Sequence, residues 1–453
     1  MSTTAAPSPS DLPHVVIVGA GFGGLEAAKT LRHAPVQVTL VDRNNYHKFQ
    51  PLLYEVAMAG LEPDDIAHNV RNIFQGNETV RFRLGTVTGV DPEAQLVHLK
   101  GSAPMSYDHL ILAAGAVSND FGIPGVREHG YPLKNVPDAV NLRNHILRQF
   151  ERHDRMEGQT EPGGLTFVVV GGGPTGVEMA GALVELFDTL DDDFAGFHPR
   201  QEARCVLLEM QDDLLPPYQQ SLRAYTREVL EARGVEVRTN TAVDRVEAAT
   251  VHLNDGTALP TQTLIWAAGV KASPVADMLD VEQARDGRVI VNDDLSLPGY
   301  PQVFAIGDMA AIDGEDGFEP QLAQVALQSG RHAAEQIRRR AFGGEETDAF
   351  SYRDYGQMAT IGRNAAVAEF AGGITFKGVL AWLIWVVIHI AKLVGFRNRL
   401  SAFVNWTYNY FTYSRSARLI LDVVPIDDDI PMEVEEVDRE VKDRLEEVKA
   451  EVA

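Results

Sequence analysis

One stretch near the amino terminus, residues 15–24, limits the fold more than any other part of the chain. It reads Val-Val-Ile-Val-Gly-Ala-Gly-Phe-Gly-Gly, four β-branched residues followed by a G-x-G-x-x-G pattern at Gly19, Gly21 and Gly24. A helix-favouring run, Leu-Glu-Ala-Ala-Lys-Thr-Leu, comes next. A strand, a tight turn and a helix amino terminus present free N–H groups that favour a pyrophosphate. The alternative is a tight turn that merely needs small residues.

An acidic residue strengthens the nucleotide interpretation. The next predicted strand, 36–41, ends on Asp42, about 20 positions after the glycines, where a carboxylate can accept from the ribose hydroxyls. The first predicted nucleotide contacts are Gly19, Gly21, Phe22, Gly23, Gly24, Asp42 and Arg43.

The same pattern returns at residues 165–176, Leu-Thr-Phe-Val-Val-Val-Gly-Gly-Gly-Pro-Thr-Gly, and the following strand, 204–208, ends on Glu209. A repeated unit predicts a second nucleotide. The charge of Glu209 would repel a 2′-phosphate and so favours a dinucleotide without that phosphate, although Arg204 at the start of that strand works against this preference. The predicted contacts are Gly171, Gly173, Pro174, Thr175, Gly176 and Glu209.

Three further strands end on small residues, which let a cofactor approach the backbone. They close on Ala114 and Gly115, on Ala268 and Gly269, and on Gly307 and Asp308. A carboxylate at the last position can hold a polyol chain, although Gly-Asp by itself is a common turn.

Composition narrows the chemistry. The 453 residues suffice for two or three domains. Cys205 is the only cysteine, so an intrachain disulfide, a Cys-x-x-Cys redox pair and a multi-cysteine iron–sulfur site are excluded. Electron chemistry must therefore come from an organic cofactor, and no metal site is predicted. The net charge of -24 argues against nucleic-acid binding.

Four further motifs, together with the two glycine units, carry a family resemblance. They are 49–57 (Phe-Gln-Pro-Leu-Leu-Tyr-Glu-Val-Ala), 323–328 (Ala-Gln-Val-Ala-Leu-Gln), 358–363 (Met-Ala-Thr-Ile-Gly-Arg) and 395–399 (Gly-Phe-Arg-Asn-Arg). The chain resembles the flavoproteins with two dinucleotide-binding domains and, among these, the type II NADH:quinone oxidoreductases. The lack of cysteine pairs sets aside the disulfide reductases and the sulfide:quinone reductases.

The resemblance implies FAD in the first unit and NADH in the second, with Gln50 among the cofactor contacts and Asp308 in a second FAD motif. It implies hydride transfer from NADH to flavin N5, then two-electron reduction of a membrane quinone without proton pumping. The implied catalytic residues are Glu178, Gln324, Gln328 and Lys377.

Each of these catalytic candidates has a plainer interpretation. Gln324 and Gln328 share one helix face and would line the quinone pocket, but they also suit a solvated surface. Glu178 would lie near the isoalloxazine, to relay protons or place the nicotinamide, yet a helix dipole also favours a first-turn glutamate. Lys377 could polarise a quinone carbonyl or be an ordinary interfacial lysine.

The predicted fold class is α/β, with two Rossmann-like domains of the glutathione-reductase type and carboxy-terminal helices at a membrane surface. The expected division is a disordered lead (1–12), an FAD domain (13–160 and 286–375, the latter with the quinone-site helix), an NADH domain (161–285), membrane-anchoring helices (376–420) and an acidic tail (421–453) with a helix at 433–448.

Residues 376–420 contain no Asp or Glu, but six cations and three of the four tryptophans, Trp382, Trp385 and Trp406. This composition predicts helices lying in the headgroup region, and the resemblance implies the cytoplasmic face of the cell membrane. The run 379–394 is shorter than the ~20 residues of a span and carries His389 and Lys392. A buried subunit interface is the alternative, and the resemblance implies a homodimer.

Two other functions remain open at this stage. One is an NAD(P)H-dependent reductase of a soluble redox protein, which would need no membrane segment. The other is an NADH-sensing flavoprotein that signals by association and turns over quinone negligibly.

Overall fold

A computed structural model describes residues 12–156, 158, 162–315, 317–344, 348–412 and 417–421, without the side chains of residue 396 and residues 409–412. Met1–Ile420 form one compact unit and Leu421–Ala453 a second. The predicted disordered lead (except residue 12), the tail helix at 433–448 and Arg415 lie outside the described residues.

The first part of the chain builds most of one sheet. Its strands are β1 (His14–Val18), β2 (Gln37–Asp42), β3 (Tyr46–Lys48), β4 (Ala67–Asn69), β5 (Val80–Leu84), β6 (Val87–Asp91), β7 (Leu96–Leu99), β8 (Met105–Ser106), β9 (His109–Leu112) and β10 (Ala116–Ser118). Its helices are α1 (Phe22–Leu31), α2 (Leu53–Ala57), α3 (Pro63–Ile66) and α4 (Val70–Ile73).

The middle of the chain builds a second sheet. Its strands are β11 (Gly130–Pro132), β12 (Thr166–Val170), β13 (Arg204–Leu208), β14 (Val235–Arg238), β15 (Val243–Glu247), β16 (Thr250–Leu253), β17 (Ala258–Pro260), β18 (Thr263–Trp266) and β19 (Val270–Ala272). Its helices are α5 (Val126–His129), α6 (Val136–Arg155), α7 (Pro174–Leu190), α8 (Pro199–Glu202) and α9 (Gln220–Ala232).

The chain then returns to the first sheet and adds a carboxy-terminal layer. The strands are β20 (Val289–Ile290), β21 (Ser296–Leu297), β22 (Tyr300–Ala305), β23 (Ala310–Ala311), β24 (Asp313–Gly314), β25 (Gly317–Phe318), β26 (Gln357–Gly362), β27 (Ala365–Phe370) and β28 (Ile374–Lys377). The helices are α10 (Ala323–Ala341), α11 (Val379–Lys392) and α12 (Phe396–Thr412).

The two large sheets repeat one topology. The first has the order β21-β22-β9-β1-β2-β5 and is parallel except for β21, while the second has the all-parallel order β11-β18-β12-β13-β14. Strands covered on both faces read as continuous apolar runs, as 15–18 and 167–170 do. Strand β22 pairs with β9, although the strands of the second sheet lie between them in the sequence. The second unit is therefore inserted in the first. The predicted α/β fold class is confirmed.

The carboxy-terminal layer combines the antiparallel sheet β26-β27-β28 with α11 and α12. Helix α11 has 14 residues, roughly 21 Å of helix, against the ~30 Å of a bilayer core. Among the described helices, none combines the length and apolar character that crossing a membrane requires.

Candidate active site

The first glycine loop is shaped by close backbone contacts. Gly19 has φ +106°, and a Cβ there would lie 2.3 Å from the carbonyl oxygen of Ala113, at the end of β9. A Cβ on Gly24 would lie 1.8 Å from the carbonyl oxygen of Gly19. Both positions therefore exclude larger residues, because the loop is folded against its own helix and the neighbouring strand.

The middle glycine behaves differently. A Cβ on Gly21 would meet no heavy atom within 4 Å, so the protein itself does not require glycine there. Gly21 is the N-cap of α1, and its carbonyl accepts from Leu25 N–H at 3.0 Å. The first N–H groups of a helix have no partner within it and face this open side, so the loop fits a diphosphate.

Two carboxylates flank the first loop. Asp42 Oδ2 accepts from Ala20 N–H at 2.7 Å, and Oδ1 accepts from Asn44 N–H at 2.7 Å. Asp308, after β22, has Lys134 Nζ 3.5 Å from its Oδ2. Lys48 Nζ donates to the Lys134 carbonyl at 2.6 Å, and burial, with the Lys134 charge, lowers the pKa of Lys48 to about 8. Neither lysine was predicted as a site residue, because neither belongs to a recognisable motif.

The second loop has the same pattern of close backbone contacts as the first. Gly171 has φ +111°, and a Cβ there would lie 2.9 Å from the Ala267 carbonyl oxygen. A Cβ on Gly176 would lie 1.8 Å from the Gly171 carbonyl oxygen, whereas one on Gly173 would meet nothing within 4 Å. The second loop therefore fits a second diphosphate.

Glu209 occupies the place of Asp42. Its Oε2 accepts from Gly172 N–H at 2.5 Å and its Oε1 from Gln211 N–H at 2.8 Å. Each carboxylate oxygen keeps a further lone pair for a ribose hydroxyl. Arg204 pairs with Glu236 at 2.5 Å, at the other end of β13 and roughly 16 Å of strand from Glu209. The cation that seemed to oppose NADH preference therefore lies away from the ribose position.

The remaining predicted cofactor contacts border the same two loops. Phe22, Pro174 and Thr175 lie in the first turns of α1 and α7, beside the half-buried Ala114, Gly115 and Ala268 and the exposed Gly269. Arg43 is exposed after β2, and Gln50 begins a short 3-10 turn before α2.

Glu178 is half-buried and lies on α7 just beyond the first turn, so it is not the first-turn glutamate of the plainer interpretation. Thr360 N–H donates to its Oε1 at 3.4 Å. Burial raises the pKa of the Glu178 carboxyl well above its usual range, the Thr360 hydrogen bond opposes this rise, and Glu55 adds to it. A carboxyl with a raised pKa binds its proton more tightly than a free carboxyl does, which suits it to act as a general acid.

Gln324 and Gln328 lie one turn apart at the start of α10, as their spacing predicted. Gln324 Nε2 donates to the Gly356 carbonyl at 2.7 Å, and its Oε1 accepts from Tyr355 N–H at 3.3 Å. Gln328 exchanges two hydrogen bonds with the backbone of Arg353, at 2.9 and 3.0 Å. Both amides therefore hold the segment 353–356 against α10 and are not simply solvated.

Lys377 contacts an aromatic side chain of α9. It ends β28, is exposed, and has its Nζ 5.2 Å from the ring centroid of Tyr225 on α9. This contact gives Lys377 a structural role, and its part in catalysis stays a prediction.

Several aromatic residues near Glu178 were not predicted as site residues. Burial raises the pKa of both Tyr54 and Tyr218 above the usual phenol range, and the Glu178 charge adds to both shifts. Tyr54 lies 6.4 Å, between ring centroids, from Trp385, which stacks on His389 at 4.1 Å. Tyr54 belongs to the 49–57 motif, and the buried Trp385 lies on the inner face of α11 with Ala381. Motif membership and helical spacing could therefore have revealed both.

The outer face of α11 and α12 is apolar. Val387 is 65% exposed and Phe403 53% exposed, and among the described side chains of these helices the other exposed large apolar ones are Val379, Leu380, Leu383, Leu400, Val404 and Tyr408. The interpretation of Trp385 as an interfacial tryptophan was wrong, because it is 2% exposed and packs inward against Tyr54.

The polar stripe of α12 faces the protein. Ser401 Oγ and Asn405 Nδ2 donate to the carboxylate of Asp65 on α3, the latter at 2.9 Å. Asn398 Nδ2 donates to the Asp64 carbonyl at 2.9 Å. Because these polar groups are used inward, the helix presents its apolar side outward. In the sequence, the helical spacing of Ser401 and Asn405 continues to Asn409 and Thr412, whose side chains lie outside the described ones.

Comparisons with known proteins agree with this geometry. Residues 13–330 match the family of pyridine nucleotide-disulphide oxidoreductases, and residues 355–415 match the NDH2 C-terminal domain. The type II NADH:quinone oxidoreductase Ndh of Mycobacterium tuberculosis is 40% identical over 423 residues, covering 90% of each chain. A type II NADH:quinone oxidoreductase of Staphylococcus aureus is 30% identical over 377 residues, covering 80% of this chain and 90% of that one.

A solved structure supports the fold. The structure of NDH2 from Plasmodium falciparum in complex with NADH superposes with a TM-score of 0.80, at 20% identity, over 90% of this chain and all of that one. Fold and glycine loops together define an oxidoreductase with two dinucleotide-binding domains. The chain belongs to the type II NADH:quinone oxidoreductases, a family of flavin-dependent enzymes, as its motifs predicted.

Proposed function

We propose that this chain oxidises NADH and reduces a membrane quinone without pumping protons, with FAD on the loop at 19–24 and NADH on the loop at 171–176. One observation carries the proposal: both open glycine loops belong to the compact unit whose α11 and α12 expose an apolar face. Enzyme and lipid-dissolved substrate can therefore meet at one surface. The chemistry that bound FAD supplies is hydride acceptance from NADH at N5, followed by two-electron reduction of the quinone.

The protein's own groups bind, orient and protonate. Asp42 and Glu209 orient the ribose of FAD and of NADH, and Asp308, with Lys134 beside it, holds the ribityl chain. Glu178, whose Oε1 accepts from Thr360 N–H, would hold a proton on Oε2 and supply one of the two protons that a quinone takes up on two-electron reduction. Gln324 and Gln328 line the quinone path together with residues 353–356, which they hold in place.

The quinone path leads inward from the helices. Trp385 on the buried face of α11 lies 6.4 Å from Tyr54 between ring centroids, and Glu178 in its ionised form contributes to the raised pKa of Tyr54. Among the described residues, Trp385 Nε1 and the Tyr218 hydroxyl are buried polar atoms without a hydrogen-bond partner. A quinone head group between them would satisfy such atoms with its carbonyl oxygens.

The domain division follows from these roles. We assign 13–160 and 286–375 to FAD, 161–285 to NADH and 376–420 to peripheral attachment on the cytoplasmic face of the membrane, with a homodimer as the assembly. The insertion of the second sheet in the first supports the division of the first three segments.

The first experiment is steady-state oxidation of NADH by the detergent-purified, flavin-loaded protein with a short-chain quinone and without one. Fast turnover that depends on the quinone, with NADPH much slower, is the expected result. Rapid flavin reduction without quinone turnover would overturn the proposal and leave reduction of a soluble redox protein, or NADH sensing, as the function.

The second experiment tests the membrane face. The double variant L383E/V387E puts two charges on the apolar side of α11, so binding to anionic liposomes should fall by at least tenfold. F342E, a matched control at a 70% exposed apolar residue that follows α10, should bind as the wild type does. Unchanged liposome binding with a lost dimer would instead identify the face as a subunit interface.

A further inference from the structure

The Ala20–Gly21 peptide of the flavin loop is held by a side chain that has been given no role so far. Ala20, between the first two glycines, is 1% exposed, and its N–H donates to Asp42 Oδ2 at 2.7 Å. Its carbonyl oxygen lies 2.9 Å from His47 Nδ1. A carbonyl can only accept, so Nδ1 carries the proton and His47 is the donor.

His47 is built into the protein interior. It lies on β3, is 2% exposed, and its ring meets Phe22 of α1 edge to face, with the centroids 5.3 Å apart. Burial lowers the pKa of His47 to about 4, although the hydrogen bond to Ala20 opposes the shift. The imidazole is therefore neutral under ordinary conditions and needs no counter-charge.

The hydrogen bond fixes the direction of the next N–H. In a trans peptide the C=O group and the following N–H point to opposite sides. Because His47 holds the Ala20 carbonyl on the buried side, the N–H of Gly21 points away from His47. A Cβ on Gly21 would meet nothing on the open side, where a diphosphate would lie.

The NADH loop has no side chain in this role. The carbonyl of Gly172, the counterpart of Ala20, accepts from the backbone N–H of Leu215 at 2.8 Å. Among the described residues, therefore, a side chain holds this loop carbonyl in the flavin loop and a backbone N–H holds it in the NADH loop.

We propose that His47 is a positioning residue for FAD: its Nδ1–H fixes the Ala20–Gly21 peptide so that the loop presents its free N–H groups to the diphosphate. The inference rests on the proposed FAD site. It predicts that loss of this donor weakens retention of FAD without touching the NADH site.

The test measures FAD release from the holoenzyme, followed by the rise of free-flavin fluorescence, and NAD+ affinity, measured by calorimetry on the oxidised protein. H47F keeps a ring against Phe22 but leaves the Ala20 carbonyl unpaired, so FAD should leave about tenfold faster. NAD+ affinity should stay within about twofold of the wild-type value.

A matched control is H145F. His145 is another partly buried imidazole at a carbonyl, 3.1 Å from that of Gln262, and burial lowers its pKa to about 4 too. Faster FAD release in H47F alone supports the proposal, whereas equal acceleration in both variants, or none in H47F, would overturn it.

Should H47F not fold, the pair H47N and H47L decides the question, because the two side chains match in size and only Asn can donate to the Ala20 carbonyl. Slower FAD release from H47N than from H47L supports the role, and equal rates overturn it. A wild-type protein that holds FAD but reduces no quinone would overturn the proposed function and leave this inference standing.

Discussion

The two glycine loops share a backbone and differ in what holds it. Gly19 N–H donates to the Val41 carbonyl at 2.7 Å, and Gly171 N–H donates to the Leu208 carbonyl at 2.8 Å. The carboxylate after each second strand accepts the next loop N–H in both units. The loop carbonyl, however, is held by an imidazole in the first unit and by the backbone of Leu215 in the second.

The different partners of the two loop carbonyls show how each dinucleotide-binding unit is connected to other parts of the protein. Leu215, with φ +51° and fully buried, lies within the second unit, so that loop is stabilised locally. His47 sits opposite His68 in the β3–β4 pair, and His68 Nδ1 lies 3.3 Å from Asn398 Oδ1 on α12. The flavin loop is therefore linked to the apolar helices, while the NADH loop is not linked in this way.

The largest expected effect separates the two loops. In G24A and in G176A the new Cβ would lie 1.8 Å from a loop carbonyl, so the backbone must shift. We expect G24A to purify without FAD. G176A should keep FAD but lose about 100-fold in its rate of reduction by NADH in stopped-flow absorbance, the usual cost of a ~1 Å misplacement.

G21A and G173A refine that comparison. A Cβ at either position meets no protein atom, so apo-protein stability should not change while the matching cofactor binds more weakly. Loss of FAD from G176A as complete as that from G24A would contradict the independence of the two loops.

A glutamate stands two residues after the last glycine in each unit, and the two environments are opposite. Glu26 forms an ion pair with Arg331, which is 62% exposed, whereas Glu178 accepts from Thr360 N–H and its pKa is raised well above the usual range by burial. We expect E178Q to slow quinone reduction by about 100-fold, the lower range for a positioned general acid. Steady-state turnover should be nearly unchanged in E26Q.

The same glutamate predicts a pH dependence of stability. The folded state binds the Glu178 proton more tightly than the unfolded state, whose pKa is about 4.3. Wild-type stability therefore falls as the pH rises above that value, and E178Q escapes this loss. Thermal unfolding should show the stability of E178Q increasing relative to that of the wild type as the pH rises above about 5, and a difference that does not change with pH would refute the shift.

A smaller effect concerns the two ribose acids. E209Q removes the charge that repels a 2′-phosphate, so kcat/KM for NADPH relative to NADH should rise by about tenfold. D42N changes the equivalent acid of the flavin loop and should alter FAD retention without changing nucleotide preference. Equal preference in both variants and the wild type would mean that neither acid reads the ribose of the reducing nucleotide.

The sequence predicted contacts within one β–α–β unit but not contacts between elements far apart in the chain. The glycine spacing, the acids at the strand ends and the repeat predict the two loops, because each loop is formed by contacts between residues of the same β–α–β unit. The link from His47 to Ala20 and the inward turn of Trp385 depend on how distant elements pack, which spacing along the chain does not specify.

The glutamines on α10 likewise combine a predictable helix face with partners that the sequence does not predict. Their shared face follows from helical periodicity, but their partners are backbone groups about 30 residues away, at 353–356. A side chain's neighbours in sequence predict its face, whereas its chemistry depends on what the fold brings to that face.

The smallest expected effect tests the link between the flavin unit and α12. Asp65 is 4% exposed and accepts from Ser401 and Asn405, so D65N replaces an acceptor oxygen by a donor group that faces other donors. The free energy of unfolding should fall by about 1–3 kcal/mol in chemical denaturation. D64N is the matched control, because Asp64 is 75% exposed and its partner Arg397, at 3.8 Å, is 88% exposed, where ion pairs contribute little. If the link is real, D65N also releases FAD a few-fold faster with unchanged NAD+ affinity, whereas equal weakening at both sites would show a general loss of stability.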